Sequence, residues 1–263
     1  MTALRPLTGA SGEIGPGDVQ WMTAGAGILH EEFHSADYAR RGGPFEMVQL
    51  WVNLPTKDKM TPPGYQAILN GDIPVRALND ASGEAAGQVR VIAGEFDGAR
   101  GPAHTFTPLN VWDVRVKAGK SVSLAQPEGW TSLLVVLDGT VQLNGETGLR
   151  AAQMATLSAA GREIAIEADS DAKLLLLAGE PIAEPVVGYG PFVMTSQAEI
   201  RQAIEDFNAS LNVDNKNPNG WAGLGVAYEK QGNRQKAAES YQRALVIDSS
   251  NPIARSGASR VRL

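Results

Sequence analysis

The run Leu133-Leu134-Val135-Val136-Leu137, broken by Asp138-Gly139 and resumed by Thr140-Val141-Gln142-Leu143, sets the tightest limit on how this chain can fold. Short apolar runs bounded by turn residues are strand-sized, and Asp-Gly accepts the positive φ of a tight hairpin. Val111-Trp112-Asp113-Val114-Arg115-Val116 alternates apolar and polar residues at period two. Lys173-Leu174-Leu175-Leu176-Leu177 fits a strand covered on both faces. A further strand-like run, Val89-Arg90-Val91-Ile92, leads into a glycine-rich linker from Gly94 to Gly101. Twenty-nine glycines, 15 prolines and only 6% aromatic residues suit many short strands joined by turns, so the chain is predicted to be mainly β. Its 263 residues suffice for one large or two ordinary domains.

A second feature concerns chemistry. After Gly25 and Gly27 comes His30-Glu31-Glu32-Phe33-His34. In an extended strand His30 and Glu32 point the same way, with Cα atoms about 6.6 Å apart. An imidazole and a carboxylate on one face suit a divalent ion such as non-heme iron. His34 shares that face but stands about 13 Å from His30 along a straight strand, beyond reach of one ion with bonds near about 2 Å. The same five residues also spell H-E-x-x-H, in which a helix would align both histidines and leave Glu31 as general base. The preceding glycines, and the lack of a third zinc ligand at a recognisable spacing, speak against that helix. A third reading makes His30 and Glu32 polar residues at a strand end.

Several segments carry a family likeness: Pro16-Gly17-Asp18-Val19-Gln20-Trp21-Met22-Thr23-Ala24-Gly25, Gly27-Ile28-Leu29-His30, Leu50-Trp51-Val52-Asn53-Leu54-Pro55 and Lys57-Asp58-Lys59-Met60. It resumes at Gly129-Trp130-Thr131-Ser132, Leu177-Ala178-Gly179-Glu180-Pro181-Ile182 and Gly190-Pro191-Phe192-Val193-Met194. Over roughly residues 13 to 207 the chain resembles the pirins. Pirins are bicupins, two tandem β-barrels with iron in the first, and some members have quercetin 2,3-dioxygenase activity while others act as nuclear or signalling cofactors. The resemblance implies an Fe(II) or other divalent ion held by His30 and Glu32, Glu32 as the catalytic residue, and a flavonol-like aromatic substrate. It also implies an N-terminal cupin over 1–96 and a C-terminal cupin over 97–197, the second expected to be metal-free because no histidine and no ligand cluster appears between residues 105 and 197.

The family's other two ligands, a histidine pair in His-Pro-His-Arg-Gly ahead of the Pro-Gly-Asp segment, have no counterpart, because the only histidines are His30, His34 and His104. The first cupin is therefore expected to be incomplete, without its opening strands, and to hold half a ligand set. Its open edges invite pairing, a homodimer being one outcome. His104 is expected to be an ordinary polar residue.

The last third changes period. An offset of 34 residues aligns Ala203 with Ala237, Phe207 with Tyr241, Leu211 with Leu245, Asp214 with Asp248, Asn217 with Asn251 and Pro218 with Pro252. Such a spacing signals tetratricopeptide (TPR) repeats, with residues 218 to 251 as one full unit. Ser196-x-x-Glu199 is a capping box opening a helix from Ala198. Ile200, Ala203, Ile204, Phe207 and Leu211 form its apolar stripe. The stripe is expected to serve either the cupins or the repeat, not both. Residues 252 to 263 look too short to complete another repeat, so 198–263 is expected to be a partly mobile appendage, cleavable between 208 and 220, that could dock a peptide or a second copy.

The formal charge of −6 and pI near 5.2 exclude a nucleic-acid-binding surface. Cysteine is absent, which fits a reducing compartment. No apolar run reaches the ~18 residues of a membrane span and no signal-peptide core opens the chain, so a cytoplasmic protein is expected. Two function classes follow: a pirin-like dioxygenase, or a non-catalytic interaction scaffold that uses the TPR-like helices.

Overall fold

The computed structural model describes residues 2–6, 12–28, 30–213 and 216–261. The chain forms two compact units, one from Met1–Ala24, His30–Gln49 and Pro62–Ile182, the other from Gly25–Leu29, Leu50–Thr61 and Ala183–Leu263. No helix among the described residues is long and apolar enough to cross a membrane.

The first unit is built on a six-stranded antiparallel sheet in the order Gln153–Thr156, Thr131–Asp138, Ala172–Gly179, Leu109–Val116, Ala85–Ala93, Val75–Asn79. A four-stranded sheet, Ser121–Ala125, Glu163–Ala168, Thr140–Leu143, Thr147–Arg150, faces it. Period-two patterning decides the facing: in Glu163–Ala168 the residues Ile164, Ile166 and Ala168 are buried while those between are exposed. Trp112, Leu134, Leu174 and Leu176 of the larger sheet meet Leu124, Val141 and Ile166 of the smaller, all nearly inaccessible. Burying each such aliphatic side chain contributes about 1.5–3 kcal/mol. On the other face of the larger sheet, Ile68, Ile73, Ile92, Leu109 and Val111 form a second apolar cluster. This is the cupin-type architecture that the sequence implied, and Leu174 to Leu176 are covered on both faces as their composition predicted.

Two local expectations change. Asp138-Gly139 does not close a hairpin: Thr131–Asp138 and Thr140–Leu143 lie in different sheets, and the turn carries the chain from one to the other. Gly139 has φ 82°, and a Cβ there would stand 2.3 Å from the Asp171 carbonyl oxygen. The residues read the bend correctly, but which strands pair is decided by the sheets on either side. Conversely, the stretch read as a linker holds a two-residue hairpin, Glu95–Phe96 against Ala99–Arg100. Asp97 and Gly98 at its tip have φ of 46° and 68°, the paired positive angles that suit strand twist. The position expected to separate the cupin domains, 96/97, lies between Ala85–Ala93 and Leu109–Val116, which are neighbours in one sheet.

At the front, Thr2–Pro6 pairs antiparallel with both Gly12–Ile14 and His30–His34, in the order Gly12–Ile14, Thr2–Pro6, His30–His34. Ahead of Pro16 the chain thus contributes two short strands to this sheet, and neither carries a histidine. His30–His34 pairs on one edge only among the described residues. A short helix, α1 (Ala36–Arg41), follows and is capped by the Ser35 hydroxyl, which accepts from the Tyr38 amide.

The second unit joins the hairpin Val187–Tyr189/Phe192–Met194 to α2 (Gln197–Val213), α3 (Pro218–Lys230), α4 (Arg234–Ile247) and α5 (Pro252–Arg260). The capping box forms: Ser196 Oγ accepts from the Glu199 amide, and the Glu199 carboxylate accepts from the Thr195 amide and the Ser196 hydroxyl. Asn217 and Asn251, one period apart, both cap their helices from the side chain with proline at the next position.

The α2 stripe is buried within the second unit, on the repeat and on the hairpin. Ile200, Ile204 and Leu211 share one core with Trp221, Leu224 and Tyr241 of the repeat and with Val187, Tyr189, Phe192 and Met194 of the hairpin. The Tyr189 hydroxyl donates to the Ala227 carbonyl, tying hairpin to α3. Residues 252 onward are also not a loose tail, because α5 buries Ala254 and Gly257 and closes the repeat. Tyr241, fully buried, lies flat enough on Gly225 and Gly257 that a Cβ at either would come within 2.5 Å and 2.2 Å of its ring. Only hydrogen fits there. Within the stretch expected to be cleavable, residues 214 and 215 lie outside the described residues, while Leu211 and Gly220 on either side are buried.

Candidate metal centre

His30–His34 is a strand, so the helical H-E-x-x-H reading is set aside. Strand alternation brings His30 and Glu32 to one face, and His30 Nδ1 stands 3.8 Å from a Glu32 carboxylate oxygen. That is beyond hydrogen-bond range, so neither group is tied up by the other. Both side chains are about one-third exposed. Two donors bound to one ion by bonds of about 2.1 Å at right angles would stand about 3 Å apart, so a small rotation of either side chain brings the pair into range.

His34 does not join them. Its ring packs against Tyr38, with centroids 5.1 Å apart, and edge-on against Phe45 at 5.0 Å. Among the described residues no group of three or more His, Cys, Asp or Glu is placed to hold a metal ion. An imidazole and a carboxylate fit an iron-type ion in kind, and they supply half of a usual set in number. His104 serves through its backbone: its carbonyl accepts from Trp21 Nε1 at 2.7 Å, its amide donates to Gln66 Oε1, and its ring stacks edge-on with Phe106.

The same unit holds a second charged cluster that the sequence did not reveal. Arg90 donates to Asp113 at 2.6 Å, Arg115 donates to the other oxygen at 2.8 Å, and Arg90 also reaches the Gly17 carbonyl and Asn70 Oδ1. Burial pushes the Asp113 carboxyl up, but the bonds from Arg115 and Arg90 outweigh it and hold the group below the usual carboxylate range. Asp18 completes the latch by accepting from the Asn70 and Gly15 amides.

The family model for pirin matches residues 4–52, that for the pirin C-terminal cupin domain matches 111–213, and that for the tetratricopeptide repeat matches 218–251. A Pseudomonas aeruginosa protein provisionally named a quercetin 2,3-dioxygenase is 56% identical over 200 residues, 76% of this chain and 68% of that protein. The chain belongs to the pirin family. Human pirin is 35% identical over 208 residues, 78% of this chain and 68% of its own length. The crystal structure of quercetin 2,3-dioxygenase from Acinetobacter baumannii superposes with a TM-score of 0.75 at 52% identity, covering 79% of this chain and 71% of that one.

Within this pirin the segments that carry the family likeness divide by role. Pro16-Gly17-Asp18 is structural, since Gly17 and Asp18 anchor the Arg90 latch. In the second unit Lys59 is buried, donating to Asn53 Oδ1 at 2.8 Å and to the Val193 carbonyl at 3.2 Å. Burial lowers its pKa below the usual lysine range, against the opposing pull of Glu184 and Glu199. Asn53 and Lys59 therefore clamp the segments Leu50–Pro55 and Lys57–Met60 to the hairpin strand Phe192–Met194. His30 and Glu32, by contrast, are motif residues whose side chains are about one-third exposed.

Proposed function

We propose that this pirin is a metal-binding bicupin of the quercetin 2,3-dioxygenase type, with His30 and Glu32 as ligands of Fe(II) and Glu32 as the catalytic residue. The carrying observation is the pair itself: two donors of the right kind, 3.8 Å apart, on one face of a strand, and engaged by no third group among the described residues. Kinship supports the rest, because its relatives carry quercetin dioxygenase names. When bound, the ion would supply binding of a substrate hydroxyl and of dioxygen. Glu32 would accept the proton that a flavonol hydroxyl gives up, a task for which its carboxylate, about one-third exposed, has the reach. His30 would fix the ion to the strand. The substrate would be flavonol-like and the setting a reducing cytoplasm, in keeping with a chain free of cysteine. The domain division that goes with this reading is an N-terminal cupin region to residue 96, a C-terminal cupin region to 197, and the helical region beyond.

Metal analysis tests it. Bound iron in purified protein, lost in His30→Ala without loss of fold, supports the reading. Protein that takes up no ion from ferrous or cobalt salt overturns it.

A second reading, an interaction scaffold, has its own observation. On α3 and α4 a groove of about 790 Å³ is lined by Trp221, Glu239, Arg243, Val246 and Ile247 among others. Arg243 lies over the Trp221 ring at 4.5 Å, and Val246 is 81% exposed. A peptide with an apolar residue beside an acidic one would suit that lining.

A further inference from the structure

The His30–Glu32 pair is half a ligand set on an edge strand, and a second copy of the chain carries the other half. We propose that two copies pair antiparallel along the free edges of His30–His34, and that two His30 and two Glu32 side chains together hold one divalent cation. This rests on the reading of the pair as metal donors, and adds the partner and the stoichiometry.

Three observations carry it. First, the sheet order leaves His30–His34 with Thr2–Pro6 on one side and no described strand on the other, so one row of its backbone groups is available to a second strand. Second, His30, Glu32, Phe33 and His34 are all exposed, so side chains on both faces of the strand reach solvent. Third, no further His, Cys, Asp or Glu of the described chain completes the site.

Register then selects itself. Two-fold pairing centred on Glu31 sets each His30 directly opposite Glu32 of the second copy, with Cβ atoms about 4.5–5.5 Å apart. The four donors then occupy one face within a patch about 5 by 7 Å at the backbone, and long side chains converge over it. Centring on Glu32 would instead set each His30 opposite His34, whose ring is already engaged by Tyr38 and Phe45, and would part His30 from the second copy's Glu32. Two carboxylates and two neutral imidazoles also balance a divalent charge, a donor set suited to iron, cobalt or zinc. His34 stays outside, its ring engaged by Tyr38 and Phe45. Because the paired stretch is short, the ion and the pairing are expected to depend on each other.

The test is sedimentation velocity of the full chain with and without Co(II), alongside metal analysis and the visible absorption of bound cobalt. The expected result is a dimer with one ion per two chains, and at least a tenfold weaker dimer after chelation. His30→Ala and Glu32→Gln should lose ion and dimer together while circular dichroism is unchanged, and His34→Ala should keep both. One ion bound per monomer would overturn the shared site while leaving the metal reading intact. No ion bound at all would sink that reading and this one with it. A dimer indifferent to chelation or to His30→Ala would overturn the shared site.

Discussion

Asp113 and Glu32 sit on strands of the same compact unit, each with a basic residue nearby, and their surroundings differ in one respect that decides what each can do. Asp113 is 6% exposed and has both oxygens filled, by Arg90 and Arg115. Glu32 is on an edge strand, one-third exposed, with its nearest basic nitrogen at 3.8 Å. A carboxylate enclosed on all sides must have its partners built in, since leaving one out costs several kcal/mol. Such a group becomes a latch. A carboxylate at an edge keeps water as its partner and can exchange that water for an ion. The contrast teaches that openness, rather than residue type, separates the candidate centre from the charged core of the same unit.

Substitutions can break or sharpen this contrast. The largest effect is expected for Arg90→Ala, which leaves Asp113 buried with one cation fewer and frees Gly17 and Asn70. It should lower unfolding stability by about 3 kcal/mol in urea titration. A loss under about 1 kcal/mol would show that Asp113 is not a latch. Next comes Gly225→Ala or Gly257→Ala, each driving a methyl into the Tyr241 ring, with a cost of about 1–3 kcal/mol seen as an earlier thermal transition of the helical unit.

Third is a pH effect in that unit. Arg260, and then Tyr241, hold the Glu229 carboxyl at about 2, against an ordinary value of 4.5. The folded value is the lower one, so the stabilisation is present above pH 4.5 and is lost as the pH falls towards 2. Glu229→Gln should flatten the acid limb of the helical signal in that window, and an unchanged limb would mean that the pair does not stabilise the unit. The smallest stability effect is expected for His30→Ala, within about 0.5 kcal/mol, while metal uptake is lost. A large loss of stability there would mean that the edge strand is structural after all.

Much of the fold was legible from local pattern. Period-two alternation found the strands, the 34-residue offset found the repeat and aligned Asn217 with Asn251, which the structure shows as caps, and Ser196-x-x-Glu199 found the start of α2. The two donors of the candidate centre were legible too, because alternation fixes which residues of a strand share a face. The Arg90–Asp113 latch was not, since its partners are 23 residues apart and Gly17 is 73 from Arg90. Nor was the fate of Asp138-Gly139: the dipeptide encodes a bend, and a bend joins two strands of one sheet as readily as it sends the chain to another.

The chain by itself thus determined what depends on near neighbours: strands, caps, repeat length, and a histidine and a glutamate facing one way. Tertiary structure decided what depends on distant partners. It placed Asp97-Gly98, rather than Asp138-Gly139, at the tip of a hairpin, gave the α2 stripe to hairpin and repeat together, and turned 252–260 into a closing helix. Backbone preference acts over a few residues, whereas pairing and burial are set by whichever surfaces the rest of the fold leaves to be covered.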